Sequence, residues 1–187
     1  LENYSHDSSA FTQGLLWHQG HLYESTGMYG NSSLREVNMS TGEVTRSVSL
    51  NDSLFGEGLA LSGDNLVQLT WKNNTALIWN ISDFTLVGNF SYEGEGWGIC
   101  NDGQNLIMSN GTDVLTVREP SNFTIVREIH VSLNGTPQNK LNELECNEEH
   151  IWANIWGEGS FLRINSTTGH VEQLIDASIL LEDESVN

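Results

Sequence analysis

The sequence predicts an all-β fold assembled from propeller blades, and three observations carry that prediction. First, a fifteen-residue phrase recurs without a gap four times: QGLLWHQGHLYESTG from Gln13, EGLALSGDNLVQLTW from Glu57, WGICNDGQNLIMSNG from Trp97 and NELECNEEHIWANIW from Asn142. The starts lie 44, 40 and 45 residues apart, and Asn187 falls a further 45 on, where a fifth copy would begin. Second, each phrase is a short apolar strand, a small or polar turn (HQG, SGD, NDG, NEE) and another strand, which is a hairpin signature. Third, a second couplet of strands around a tight turn follows each phrase: SLREVNMSTGEVTRSV, ALIWNISDFTLVGNF, VLTVREPSNFTIVREI and FLRINSTTGHVEQLI. Four strands per repeat at a period of 40 to 45 residues describe a propeller blade.

The expected organisation is therefore one propeller domain over residues 1–187, with blades opening near residues 13, 57, 97 and 142 and a fifth at 187. Helical spacing is never sustained beyond two turns, and only DASILLED, at residues 176–183, reads as a short helix. The chain has 18 Gly against 2 Pro, which suits many tight turns, and its 187 residues can bury a sizeable core.

Charge narrows the partners. A formal net charge of −18 with only seven Lys and Arg argues against nucleic acid or an anionic membrane as partner, and reads as a solvated acidic surface. No stretch resembles a membrane span or a signal peptide. His18 and His21 form an HxxH without a third ligand, so they read as solvated loop histidines and no metal site is expected. The acidic run at residues 182–184 is a candidate for structural calcium, although no D-x-D-x-D-G pattern accompanies it.

Asn-x-Ser/Thr occurs eleven times, at Asn3, Asn31, Asn38, Asn51, Asn73, Asn80, Asn89, Asn110, Asn122, Asn134 and Asn165. Asn38, Asn80, Asn122 and Asn165 sit in the turns of the second couplets, at the expected outer rim, where an acceptor must be exposed. The expectation is a secreted, heavily N-glycosylated protein. Cys100 and Cys146 fall in the same inner strand of neighbouring repeats, offset by one position, which is compatible with an interblade disulfide and equally with two buried thiols.

The first strand of each blade lines a propeller's central channel, so the residues opening each phrase should ring one mouth of it. These are Gln13, Glu57, Trp97 and Asn142; fourteen positions on, where the antiparallel strand returns to the same face, stand Gly27, Trp71, Gly111 and Trp156. A carboxylate beside aromatic walls is partly desolvated, which raises its pKa and suits it to general acid or base work. Carboxamides can both donate to and accept from an amide substrate. There is no nucleophile with a neighbouring base and no phosphate loop. The residues alone allow amide chemistry without a covalent intermediate, or simple small-ligand binding.

SHDSSAFTQGL, LYESTGMYGNSSLREV, FGEGLAL, LTWK, YEGEGWGI, LIMSNGT, LNELE and ANIW stand in order along almost the whole chain, and in that order and spacing the chain resembles the propeller-type glutaminyl-peptide cyclotransferases of plants and bacteria. The resemblance implies a five-bladed propeller that converts an N-terminal glutamine to pyroglutamate with release of ammonia and needs no catalytic metal or other cofactor. It implies that Glu57 is the acid/base carboxylate, that Asn142 orients the γ-amide and stabilises its oxyanion, and that Phe11, Gln13, Trp71, Trp97 and Trp156 cradle the substrate. The partner so implied is a peptide with N-terminal Gln.

Family members continue past the asparagine matched by Asn187 into NGIA and a TGKxW phrase whose lysine belongs to the active site. The expectation is thus a fifth blade left incomplete in this chain, which is either a fragment or completed by a second molecule. An open blade edge templates strand pairing. A second function follows from it: an idle glycosylated extracellular scaffold that assembles into filaments by strand exchange.

Overall fold

A computed structural model of the chain describes residues 4–178. Asn3, the acidic run at 182–184, the fifth opening at Asn187 and the greater part of DASILLED lie outside the described residues. All regular elements within them are strands.

Contacts divide the chain into two compact units, Leu1–Trp97 and Gly98–Asn187. In the first unit, β1 (Thr12–His18), β2 (His21–Thr26), β3 (Ser33–Val37) and β4 (Val44–Ser49) form one antiparallel sheet in sequence order. β5 (Gly56–Ser62), β6 (Asn65–Thr70), β7 (Thr75–Asn80) and β8 (Leu86–Ser91) form a second. In the second unit, β9 (Ile99–Asn101), β10 (Leu106–Met108), β11 (Val114–Arg118) and β12 (Ile125–His130) make one sheet. A small hairpin of β13 (Ser132–Leu133) and β14 (Thr136–Pro137) precedes a fourth sheet of β15 (Leu141–Cys146), β16 (His150–Ile155), β17 (Ser160–Asn165) and β18 (Val171–Asp176). These four meanders are the four blades expected from the repeats. The β13–β14 hairpin is not among the elements the repeats predict; its signal is the two-residue turn Asn134–Gly135, with φ of 51° and 79°.

Burial follows position in the blade. β5 and β6 are buried nearly throughout, because both faces are covered, and they read as runs of apolar and small residues. β4, at an outer edge, alternates half-buried and exposed residues in step with the two-residue period of a strand. The outer turns repeat one geometry, in which a residue in the left-handed region donates its N–H to the carbonyl four residues back. Gly42 and Gly169 hold that position in two blades; Phe84 and Phe123 hold it in the others, at φ of 59° and 63°. A bulky side chain there is strained. Both rings are buried, and Arg46 and Arg118 lie 3.9 and 4.7 Å from their centroids, which offsets the cost.

Cys100 and Cys146 are disulfide-bonded, with Cα atoms 5.7 Å apart. Of the two states the sequence left open, the structure has the bridge, joining the innermost strands of the second unit's two blades.

Candidate active site

The site begins with a register irregularity. In β5, Gly56 pairs with Thr70 but the next pair is Leu59 with Gln68, so Glu57 and Gly58 oppose a single residue. The same shift recurs between Leu141 and Leu144 of β15, around Asn142, and between Thr12 and Gly14 of β1, around Gln13. A bulge bends its strand and re-aims the extra residue. Three of the four opening residues therefore stand at bulges, while Trp97 lies just before its strand.

The position fourteen residues on is tied back in the same way in three blades. Gly27, Trp71 and Trp156 follow the ends of β2, β6 and β16, and their N–H groups donate to the carbonyls of Phe11, Phe55 and Lys140 at 2.8, 3.0 and 2.9 Å. Trp71 is thereby held beside the bulge that carries Glu57.

In the first unit this builds an aromatic enclosure. Phe55 packs edge-on against Phe11 and Tyr29, with centroids 6.2 and 5.5 Å away, and at 5.6 Å from Trp71. A Cβ added to Gly27 would meet the Phe55 ring at 2.3 Å and Gln13 Cγ at 3.1 Å, so this glycine makes room for both side chains. The Trp71 and Trp97 indoles each donate to one oxygen of Glu95, at 2.8 and 3.0 Å. The N–H of Gly58, next to Glu57, donates to the carbonyl of Trp97 at 2.7 Å.

Electrostatics separate the two carboxyls. Glu57 is 6% exposed; burial, and secondarily the charge on Glu95, push its pKa up from 4.5 to about 8. Glu95 goes the other way: the Trp97 and Trp71 indoles and the Lys72 ammonium, 3.6 Å from its other oxygen, hold its pKa below the usual glutamate range. A carboxyl kept protonated near neutral pH beside one kept ionised is the arrangement that separates acid–base roles.

Of the expected residues, Phe11, Gln13, Glu57, Trp71 and Trp97 belong to the first unit. Asn142 and Trp156 belong to the second, where Asn142 is partly buried and Trp156 is exposed. Sequence reading missed Phe55 and Glu95. The signal was present: each stands two positions before an opening residue, as Phe11 does.

Among the described sequon asparagines, Asn31, Asn38, Asn51, Asn73, Asn89, Asn122 and Asn134 are exposed, and Asn80, Asn110 and Asn165 are partly buried. At Asn38, Asn51, Asn80, Asn110 and Asn122 the sequon's own hydroxyl donates to the asparagine Oδ1, at 2.6 to 2.8 Å. The asparagine oxygen thus serves the turn. Among the described residues, no three His, Cys, Asp or Glu side chains gather to hold a metal ion.

A family model described as glutamine cyclotransferase matches residues 1–187. A glutaminyl-peptide cyclotransferase of Arabidopsis thaliana is 38% identical over 171 residues, covering 90% of this chain and 53% of that protein, so the chain spans about half the length of the curated relative it matches. The crystal structure of Myxococcus xanthus glutaminyl cyclase superposes with a TM-score of 0.93 at 38% identity, over 99% of this chain and 78% of that one. The WD40 domain of Neurospora crassa Pan2 superposes at 0.62 with 9% identity, over 88% of this chain and 52% of its own, and shows the propeller fold alone.

Proposed function

The chain belongs to the glutamine cyclotransferase family, and from that premise we propose that it cyclises the N-terminal glutamine of peptides to pyroglutamate with release of ammonia. The observation that carries the reading is Glu57, a buried carboxyl whose pKa is pushed up to about 8 beside the Trp71 and Trp97 indoles. A peptide α-amine has a pKa of roughly 7.7–8.0. Carboxyl and amine thus hold a proton about equally well, so moving it from the ammonium to Glu57 costs little and leaves the amine nucleophilic. Attack of the amine nitrogen on the γ-carbonyl carbon forms the ring bond. The bond to the amide nitrogen then breaks, and that nitrogen leaves as ammonia. Glu57, ionised at the start, hands the proton it took from the ammonium to the departing amide nitrogen, then takes the surplus proton from the ring nitrogen and passes it to the released ammonia, so that it ends ionised as it began. Because the reaction is intramolecular, aromatic walls that hold the amine over the γ-carbonyl supply much of the acceleration.

The test is ammonia release from a Gln-initiated dipeptide by the wild type and by Glu57→Gln. Loss of at least about a hundredfold in kcat with the fold intact is expected; undiminished turnover by the variant would remove Glu57 from this role. The resemblance adds Asn142 and Trp156 of the second unit to the residues whose replacement should lower turnover.

The Cys100–Cys146 bridge and the seven exposed sequon asparagines support secretion and N-glycosylation. Protein from a eukaryotic secretory host should shift in mass on deglycosylation; no shift would reject occupancy. Exposed Leu86 and Val87 on β8, and Ile125 and Val126 on β12, favour a second reading, self-association through blade edges. A concentration-independent monomer in solution would dismiss it.

A further inference from the structure

We propose that Glu95 is the positioning residue of this site: one carboxylate oxygen accepts both the Trp71 and the Trp97 indole N–H and so sets the spacing and tilt of the two aromatic walls. The inference rests on the cyclotransferase reading above.

The two indoles come from different repeats and are both only half-buried, so packing alone does not hold their rings as it would hold a core tryptophan. A shared acceptor, at 2.8 Å from one Nε1 and 3.0 Å from the other, removes the freedom that remains. The acceptor is itself held. Lys72 Nζ lies 3.6 Å from the second Glu95 oxygen and 3.8 Å from the Trp71 ring centroid, so ammonium, indole and carboxylate clamp one another. The backbone between Glu95 and Trp97 is wedged: Gly96 donates its N–H to the Trp71 carbonyl at 2.9 Å, and a Cβ there would meet the Tyr92 hydroxyl at 2.3 Å. The Glu-Gly-Trp spacing is thus what lets one carboxylate reach the indole next along the chain and the indole a repeat earlier.

A second effect of the same carboxylate supports the role. Two influences act on Glu57, its burial and the charge on Glu95. The groups facing Glu95 are the two indoles and Lys72. Glu95 therefore holds the walls and also helps keep the proton affinity of Glu57 near that of the substrate amine.

Glu95→Gln and Glu95→Ala separate these effects, because a carboxamide oxygen still accepts both indoles but carries no charge. The measurements are the pH profile of kcat/KM on a Gln-initiated dipeptide, KM against kcat, and near-UV circular dichroism without substrate. For Glu95→Gln, KM should stay within about twofold and the aromatic spectrum should be unchanged. Its acid limb, which reports ionisation of free Glu57, should move to lower pH, with the alkaline limb of the substrate amine in place. For Glu95→Ala, KM should rise about tenfold or more and the aromatic spectrum should change, at an unaltered far-UV spectrum. Wild-type KM and aromatic spectrum in Glu95→Ala, or a rise in KM in Glu95→Gln equal to that in Glu95→Ala, would overturn the proposal. If the wild type does not cyclise the dipeptide, the functional reading falls, and the near-UV comparison of the two variants still decides whether Glu95 sets the walls.

Discussion

Replacing Glu57 with Gln should stabilise the protein at alkaline pH and leave it nearly unchanged at acid pH. Burial, and secondarily Glu95, raise the Glu57 pKa from 4.5 to about 8 in the folded chain. Below pH 4.5 the carboxyl is protonated in both folded and unfolded states, and its burial as a neutral acid carries no ionic cost. Between 4.5 and 8 the unfolded chain releases the proton while the folded chain keeps it, so stability falls as pH rises through this window. Above 8 the carboxylate is ionised in both states and the whole cost is present. At about 1.36 kcal/mol per pKa unit, the interval from 4.5 to about 8 sets a ceiling of about 5 kcal/mol. Water drawn towards an ionised Glu57 reduces it, so a gain of about 2–5 kcal/mol is expected for Glu57→Gln at pH 9 over its effect at pH 4.5. That is a large share of the ~5–15 kcal/mol that holds an ordinary domain folded. The assay is urea unfolding of both proteins at the two pH values. Comparing the difference between proteins at each pH cancels every other titrating group. A difference that is the same at both values would refute the raised proton affinity of buried Glu57 on which the proposed mechanism depends.

Gln68 is fully buried; its Nε2 donates to Ser25 Oγ and the Ser33 carbonyl at 2.8 and 3.2 Å, and its Oε1 accepts from Trp79 Nε1 at 3.0 Å. Gln68→Leu should lower stability by about 3 kcal/mol, because it orphans these partners; a urea midpoint at the wild-type value would show that the network contributes nothing. The Cys100–Cys146 bridge spans 46 residues, which on loop-closure entropy corresponds to about 4 kcal/mol. The double variant to Ser should melt at a lower temperature with unchanged far-UV dichroism, and an unmoved melting point would count against a native bridge.

Some of the site was legible because the repeat lines up unlike residues. Glu57, Trp71 and Trp97 were picked out by position alone, and the structure brings them beside one another in the first unit. The bulges that carry Gln13, Glu57 and Asn142 were not legible, since an extra residue shows only against the strand it pairs with. Phe55 was hidden for another reason: an aromatic before Gly-Glu-Gly reads as ordinary core until its ring is seen filling the space that Gly27 leaves open. Glu95 read as one more acidic residue in an acidic chain.

Strand, turn and blade were determined by the sequence itself, because alternation, turn residues and repeat period are properties of neighbours along the chain. The disulfide, the choice of acceptor for the Trp71 and Trp97 indoles and the proton affinity of Glu57 were decided only by the tertiary structure. Each depends on how far apart groups from different strands come to rest and on how much water is left between them, and the sequence of either group alone does not specify that.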